Sequence, residues 1–186
     1  MVNDLRDWLA LLESEGQLYR MQVEVDWRGE LAEVQRQVTM KQGPAILYEN
    51  IKDYQDGRCT KLFCGGVATQ GRTALMLGMP LDSSRGELIR ELRQRLSNPV
   101  APEVVESGSV KENIILGDDI DLFEFPVPQW HPADSGRYIN TWGGVVTRDP
   151  ENGRQNVGVY RAVIASRDKI NGLLVPAQNW GVHYGK

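Results

Sequence analysis

Prolines at positions 99 and 102 split this chain into two regions with different secondary-structure rhythms, and that change limits the possible folds more than any other feature. Proline neither continues a helix nor donates to a sheet, so Asn98-Pro99 and Ala101-Pro102 end whatever precedes them. Upstream, helical and strand patterns alternate. Asp4 can cap a first helix carrying Leu5, Trp8, Leu9 and Leu12 on one face, and Gly16 ends it. Leu18–Val25 reads as a strand, and Glu30–Lys41 as a helix through Leu31, Val34 and Val38 that stops at Gly43-Pro44. Ala45–Ile51 and Lys61–Ala68 read as strands. Thr73–Leu77 and Gly86–Leu96 read as helices, the latter with Leu88, Ile89, Leu92 and Leu96 inward. This alternation specifies an α/β domain over residues 1–104.

Downstream, short β runs are separated by Gly, Asp and Pro. Pro126, Pro128 and Pro132 stiffen the connector PVPQWHPAD, which therefore cannot be a central strand. Two runs, Tyr138–Arg148 and Asn156–Ala165, flank the turn Asp149-Pro150-Glu151-Asn152-Gly153-Arg154 and read as an antiparallel hairpin. Short strands at close spacing point to a barrel or sandwich over residues 105–186, with too few strands to close. The expected fold class is α+β, an α/β domain followed by the first, incomplete part of a β-barrel.

Composition excludes several function classes. With 21 basic and 25 acidic residues the net charge is −4, which leaves no electrostatic footprint for nucleic acid. No run of 18 apolar residues is present, so no membrane span is expected. The opening residues form a capped polar helix and not a signal peptide. Cys59 and Cys64 make neither a disulfide framework nor a metal cage. A reduced, cytoplasmic setting is the default.

The second hairpin strand carries the chemistry. Asn156 opens it and Arg161 follows five residues later in an otherwise apolar stretch. An Arg in such a strand suits bidentate recognition of a carboxylate or phosphate. An edge-strand Arg reaching solvent, with Asn156 closing the turn, satisfies the same pattern. Residues five apart point to opposite faces unless the strand is interrupted. His131 and His183 are the only histidines and the only groups with an ordinary pKa near neutrality, though a packed or surface role fits either. Asp118, Asp119, Asp121 and Glu124 read as a solvated loop. Gly65-Gly66 reads as a bend, because it lacks the following Lys-Ser/Thr of a phosphate loop.

An ordered set of motifs adds to this reading. DLRDWLALLESEGQLYRM, AILYENI, LFCGGVAT, ELIRELRQRL, PVPQWHPADSGRYINT and TRDPENGRQNVGVYR resemble the UbiD family of reversible decarboxylases, which use prenylated flavin mononucleotide. The resemblance covers essentially the whole chain, although that family's enzymes are more than twice as long. It implies the N-terminal domain and the first part of a flavin-binding split β-barrel. Asn156 matches the family's asparagine ligand for the divalent metal, and Arg161 matches the arginine of its catalytic Glu–Arg–Glu network. Thr141, Gly158, Val159, Tyr160 and Gln178 match positions lining the flavin. Where many relatives carry a metal-binding histidine, this chain has Asn179, and His183 lies four residues on. Either is the implied ligand, with imidazole the stronger donor. The family's remaining glutamates match nothing here.

The resemblance therefore implies a carboxy-lyase acting on an aromatic or α,β-unsaturated carboxylic acid. It implies prenylated FMN, Mn²⁺ or Mg²⁺, and K⁺ as cofactors, a flavin prenyltransferase as supplier, and a homo-oligomer at full length. This stretch alone is expected to be inactive. Two other classes remain open, a non-catalytic module for cofactor binding or assembly, and an ordinary flavin-binding split barrel.

Overall fold

The computed structural model describes residues 2–186. The Asp4 carboxylate accepts from the Asp7 backbone N–H at 2.9 Å and so starts the first helix, α1 (Leu5–Ser14), which buries Trp8 and Leu12 one turn apart. Gly16, at φ 64°, reverses the chain into β1 (Leu18–Met21). A crossover helix, α2 (Glu30–Met40), then returns it to β2 (Ala45–Tyr48), which lies parallel to β1. β3 (Leu62–Cys64) adds antiparallel on the far edge of β2.

β2 is central, and all four of its residues are buried, as a strand covered on both faces requires. Its side chains alternate. Ile46 and Tyr48 join Leu31, Val25, Ile51 and Tyr54 on the α2 side, whereas Ala45 joins Trp8, Leu12 and Leu75 on the α1 side. The first region is thus three layers deep, with the sheet between α2 on one side and α1 on the other.

The strands are shorter than the sequence pattern suggests. β1 ends at Met21, and Val25 pairs with Ile51 only through an isolated bridge. β3 ends before Gly65, whose φ of 76° is a conformation β residues do not adopt. α3 (Gln70–Met76) starts earlier than expected because Thr69 caps it, and this brings Arg72 into the interior with 1% exposure. The Arg72 guanidinium donates to the Gly65 carbonyl at 3.0 Å and the Gly43 carbonyl at 2.9 Å.

α4 (Arg85–Ser97) begins with a complete capping box. The Ser84 hydroxyl accepts from the Glu87 N–H at 3.3 Å, and the Glu87 carboxylate accepts from the Ser84 N–H at 2.7 Å. We expect Ser84→Ala to destabilise the protein by about 1 kcal/mol in urea denaturation, because it strips one reciprocal cap. The inward stripe expected on this helix is only partly buried. Leu88 is covered, but Ile89, Leu92 and Leu96 are 45%, 40% and 78% exposed, since α4 packs chiefly on α3 and presents its outer turns to solvent.

Beyond the prolines, both strands of the expected long hairpin are broken. The first becomes β4 (Tyr138–Ile139) and β5 (Gly144–Arg148), and the second becomes β6 (Gln155–Val159) and β7 (Ala162–Ser166). β5 pairs with β6 alone, while β4, β7 and β8 (Lys169–Gly172) form a separate antiparallel sheet. The two breaks sit together. Asn140 takes a left-handed φ of 58°, and its side-chain amide donates to the Tyr160 carbonyl at 2.9 Å. A Cβ on Gly143 would overlap the Asn140 side chain, so this corner requires glycine there. The strands form open sheets, and no closed barrel is present among the described residues.

Arg137 joins the two regions. Its guanidinium donates to the carbonyls of Val127 at 2.6 Å and Phe125 at 2.9 Å and to the Tyr54 hydroxyl. It also lies 4.2 Å from the centre of the Trp27 ring.

Candidate active site

The register of the β5–β6 hairpin sorts its residues onto two faces. The six residues from Asp149 to Arg154 close the turn, so Arg148 faces Gln155, Thr147 faces Asn156, Val146 faces Val157 and Val145 faces Gly158. Val146, Val157 and Val159 point outward and are 62%, 68% and 57% exposed. Val145, Thr147, Asn156 and Gly158 are half-buried beneath α5 (Asn179–Gly185).

Helix and hairpin meet along a polar seam. The Asn179 amide donates to Asn156 Oδ1 at 2.7 Å. One turn later, His183 Nδ1 lies 2.9 Å from Thr147 Oγ1. At the far end, Lys186 Nζ reaches Asp149 Oδ2 at 2.9 Å and Glu151 Oε2 at 2.8 Å. Asn179 and His183 are four apart on one helix, so both project onto the same face. The seam therefore brings Asn156, Asn179 and His183 together, with Asn179 touching Asn156 directly and His183 reaching Thr147, the cross-strand partner of Asn156.

Tyr160 fixes where α5 begins. Its hydroxyl accepts from the Trp180 N–H at 3.1 Å, and its ring meets Trp180 edge-on at a centroid distance of 4.8 Å. The absence of a side chain at Gly158 makes this possible, because a Cβ there would lie 2.5 to 2.9 Å from the Tyr160 ring and hydroxyl. Gln178 stands at the helix start with an exposed side chain, and Val159 is on the outer face.

Asp149 anchors the distal end of the seam. It is 8% exposed, and the Lys186 ammonium, followed by the Glu151 backbone N–H, holds its carboxyl below the ordinary carboxylate value. A depressed folded-state pKa contributes stability above the unfolded value, near pH 4, and that contribution disappears as pH falls through the lower folded value. We expect α5 to loosen from the hairpin only below about pH 4. An acid titration of Trp180 fluorescence checks this, and the transition should vanish in Asp149→Asn.

The interruption between β6 and β7 decides the placement of Arg161. It leaves Arg161 outside both strands, between the end of β6 at Val159 and the start of β7 at Ala162, at the corner beside Tyr160. Its side chain is exposed and lies over the Tyr138 ring, 4.7 Å from the ring centre. Among the described residues its guanidinium has no ion pair and no hydrogen bond. Thr141 follows Asn140 at the same corner but lines a different space. This is an apolar cleft of about 640 Å³ bounded by Leu5, Trp8, Phe63, Gly66 and Trp142, and none of the other predicted site residues lines it.

Three residues of this region escaped the sequence reading. Thr147 was readable in principle, because a symmetric six-residue turn places it opposite Asn156. Tyr138 and Asp149 gave no signal of their own. Their roles depend on the strand breaks and on the docking of α5.

Among the described residues, no group of three His, Cys, Asp or Glu side chains is arranged to hold a metal. The seam instead offers amide and hydroxyl oxygens and one imidazole. This donor set is chemically suited to part of the coordination sphere of a divalent ion and needs anionic oxygens to complete it.

Comparison with known proteins places this geometry in a family. A model described as the N-terminal domain of 3-octaprenyl-4-hydroxybenzoate carboxy-lyase matches residues 9–96, and one described as its Rift-related domain matches residues 103–186. The chain is 32% identical over 185 residues to pyrrole-2-carboxylic acid decarboxylase of Pseudomonas aeruginosa, an alignment covering 96% of this chain and 37% of the relative. It superimposes on the closed form of vanillic acid decarboxylase from Sedimentibacter hydroxybenzoicus with a TM-score of 0.89 at 33% identity, covering 98% of this chain and 39% of that one. An evolved dimeric form of the UbiD-class enzyme HmfF from Pelotomaculum thermopropionicum, solved with prFMN, gives a TM-score of 0.84 at 29% identity, covering 99% and 41%. The chain spans roughly two fifths of the length of these relatives. With two family models covering most of its residues and UbiD-class structures matching its fold from end to end, the chain belongs to the UbiD family.

Proposed function

We propose that this chain is the N-terminal part of a decarboxylase that removes CO₂ reversibly and non-oxidatively from an aromatic or α,β-unsaturated carboxylic acid, using prenylated FMN. One observation carries the reading. A polar seam built on Asn156 in β6 is followed, just past the end of the same strand, by an exposed arginine, Arg161, that lies over an aromatic ring. In this reading residues 1–104 form the supporting α/β domain, and residues 105–186 begin the cofactor-binding split barrel.

The reading gives each group a role. Asn156, with Asn179 or His183, would hold a divalent ion, Mn²⁺ or Mg²⁺, against the cofactor phosphate, with K⁺ nearby. A buried phosphate dianion is costly without such cations. Gly158, Val159, Tyr160 and Gln178 would present backbone and side-chain edges to the flavin, with Thr141 at the loop beyond. When bound, the prenylated flavin supplies the electron sink that loss of CO₂ from an sp² carbon demands. Arg161 binds the carboxylate through paired N–H groups and fixes the orientation of the bond that breaks. The proton that replaces CO₂ on the substrate carbon comes from an acid that the seam does not supply.

Turnover belongs to a polypeptide of the relatives' length, a homo-oligomer in this proposal and supplied by a flavin prenyltransferase. The 186 residues alone are expected to be inactive. No helix is long and apolar enough to cross a membrane among the described residues, which is compatible with cytoplasmic work on a small acid. The test is to co-express the full-length polypeptide with a flavin prenyltransferase and to record the absorption spectrum and the mass of the released flavin. Prenylated FMN is the expected result. Ordinary FMN would favour a plain flavin-binding split barrel, and no flavin would favour a non-catalytic assembly module.

A further inference from the structure

We infer that Tyr138 is a positioning residue for Arg161. Its ring is a platform that holds the guanidinium flat with its N–H edge open to an incoming carboxylate. The inference rests on the proposed carboxylate-binding role of Arg161 and adds the device that aims it.

The contact follows from strand register. Tyr138 pairs with Val163 and Ile139 with Ala162, and Arg161 immediately precedes Ala162 at the start of β7, diagonal to Tyr138 across the pair. Residues diagonal across an antiparallel pair have Cβ atoms roughly 7–8 Å apart, within reach of an aromatic ring and a long side chain. Arg161 uses that reach, with its guanidinium carbon 4.7 Å from the Tyr138 ring centre.

Both ends of the arrangement are fixed. The backbone at the corner is tied by the Asn140 amide to the Tyr160 carbonyl at 2.9 Å. The Tyr138 hydroxyl lies 3.3 Å from the Ser135 hydroxyl, which anchors the far side of the ring. Between these anchors the described residues of this chain offer the guanidinium the Tyr138 ring and no carboxylate or carbonyl. The contrast with Arg137 is informative. That guanidinium also lies over aromatic rings, but carbonyls and a hydroxyl engage it. An Arg stacked through its face keeps its in-plane donors available, and those are the donors a carboxylate pairs with.

The prediction is readable in the 186-residue chain by NMR, with benzoate as the probe and benzyl alcohol as its uncharged counterpart. In the wild type, the Arg161 δ-methylene protons, assigned by their loss in Arg161→Lys, should lie upfield of their unfolded-chain position because the guanidinium they adjoin lies over the ring. Positions equal to those of the unfolded chain would overturn the inference without any Tyr138 variant. Tyr138→Phe should keep both the upfield shift and the benzoate affinity. Tyr138→Leu should lose the shift and weaken benzoate binding about two- to five-fold, the range of an exposed cation–π contact. A Tyr138→Leu protein that binds benzoate as tightly as wild type, while Arg161→Ala does not bind it, would refute the role of Tyr138 and leave Arg161 as the clamp. Wild-type benzoate affinity in Arg161→Ala, or equal binding of benzyl alcohol, would refute the clamp itself.

Discussion

Arg161→Ala in the full-length polypeptide is expected to lower decarboxylation by about 10²- to 10³-fold, the scale seen when one preorganised electrostatic contact is removed from a transition state. Cofactor retention should change little, because Asn156, Tyr160 and the α5 seam make no hydrogen bond to the guanidinium. The loss is expected to be larger in kcat/KM than in kcat, because the clamp binds the ground-state carboxylate as well as orienting the breaking bond. Arg161→Lys should recover only part of the rate, since an ammonium supplies charge without the planar pair of donors. Steady-state CO₂ release alongside flavin content measures both halves of the expectation. Wild-type turnover in Arg161→Ala would remove this residue from the reaction.

The second large effect is on stability. Arg72→Ala is expected to destabilise the protein by about 3 kcal/mol in urea denaturation, through loss of buried contacts and of the donors that its guanidinium gives to two loop carbonyls. Arg72 is 1% exposed and carries no carboxylate partner among the described residues, and burial pulls its guanidinium below its ordinary pKa. Its fork ties the Gly65 bend after β3 to the Gly43 carbonyl just before β2, so one side chain holds two loops around the central strand. A change under about 0.5 kcal/mol, the usual range for surface substitutions, would show that the side chain is dispensable.

These two arginines mark where sequence reading succeeded and where it stopped. Arg161 was visible because a charged residue interrupts an apolar run, and the ordered motifs around it named a family that the comparisons support. Arg72 was invisible, because arginine is rarely buried and nothing in Gln70–Met76 marks one turn as interior. Alternation of helix and strand pointed to an α/β first region, whereas its layering around β2 became visible only in the structure. Periodicity missed the strand breaks near Asn140 and Tyr160, since Tyr138–Arg148 and Asn156–Ala165 read as continuous β patterns. A left-handed Asn140 hydrogen-bonded to Tyr160 twenty residues away is a tertiary fact, and it moves Arg161 out of the strand that carries Asn156. The seam was half legible. Asn156, Asn179 and His183 stood out by chemistry and resemblance, but only the docking of α5 shows that Asn179 meets Asn156 while His183 meets Thr147.

The central claim is that this seam anchors the metal side of the cofactor site, and titrating Mn²⁺ into the isotopically labelled chain tests it most directly. Paramagnetic broadening should strike the side-chain amides of Asn156 and Asn179 and the His183 ring first, and Asn156→Ala should abolish it. Broadening centred instead on the acidic loop of Asp118, Asp119 and Asp121, with the seam resonances unaffected, would contradict the account.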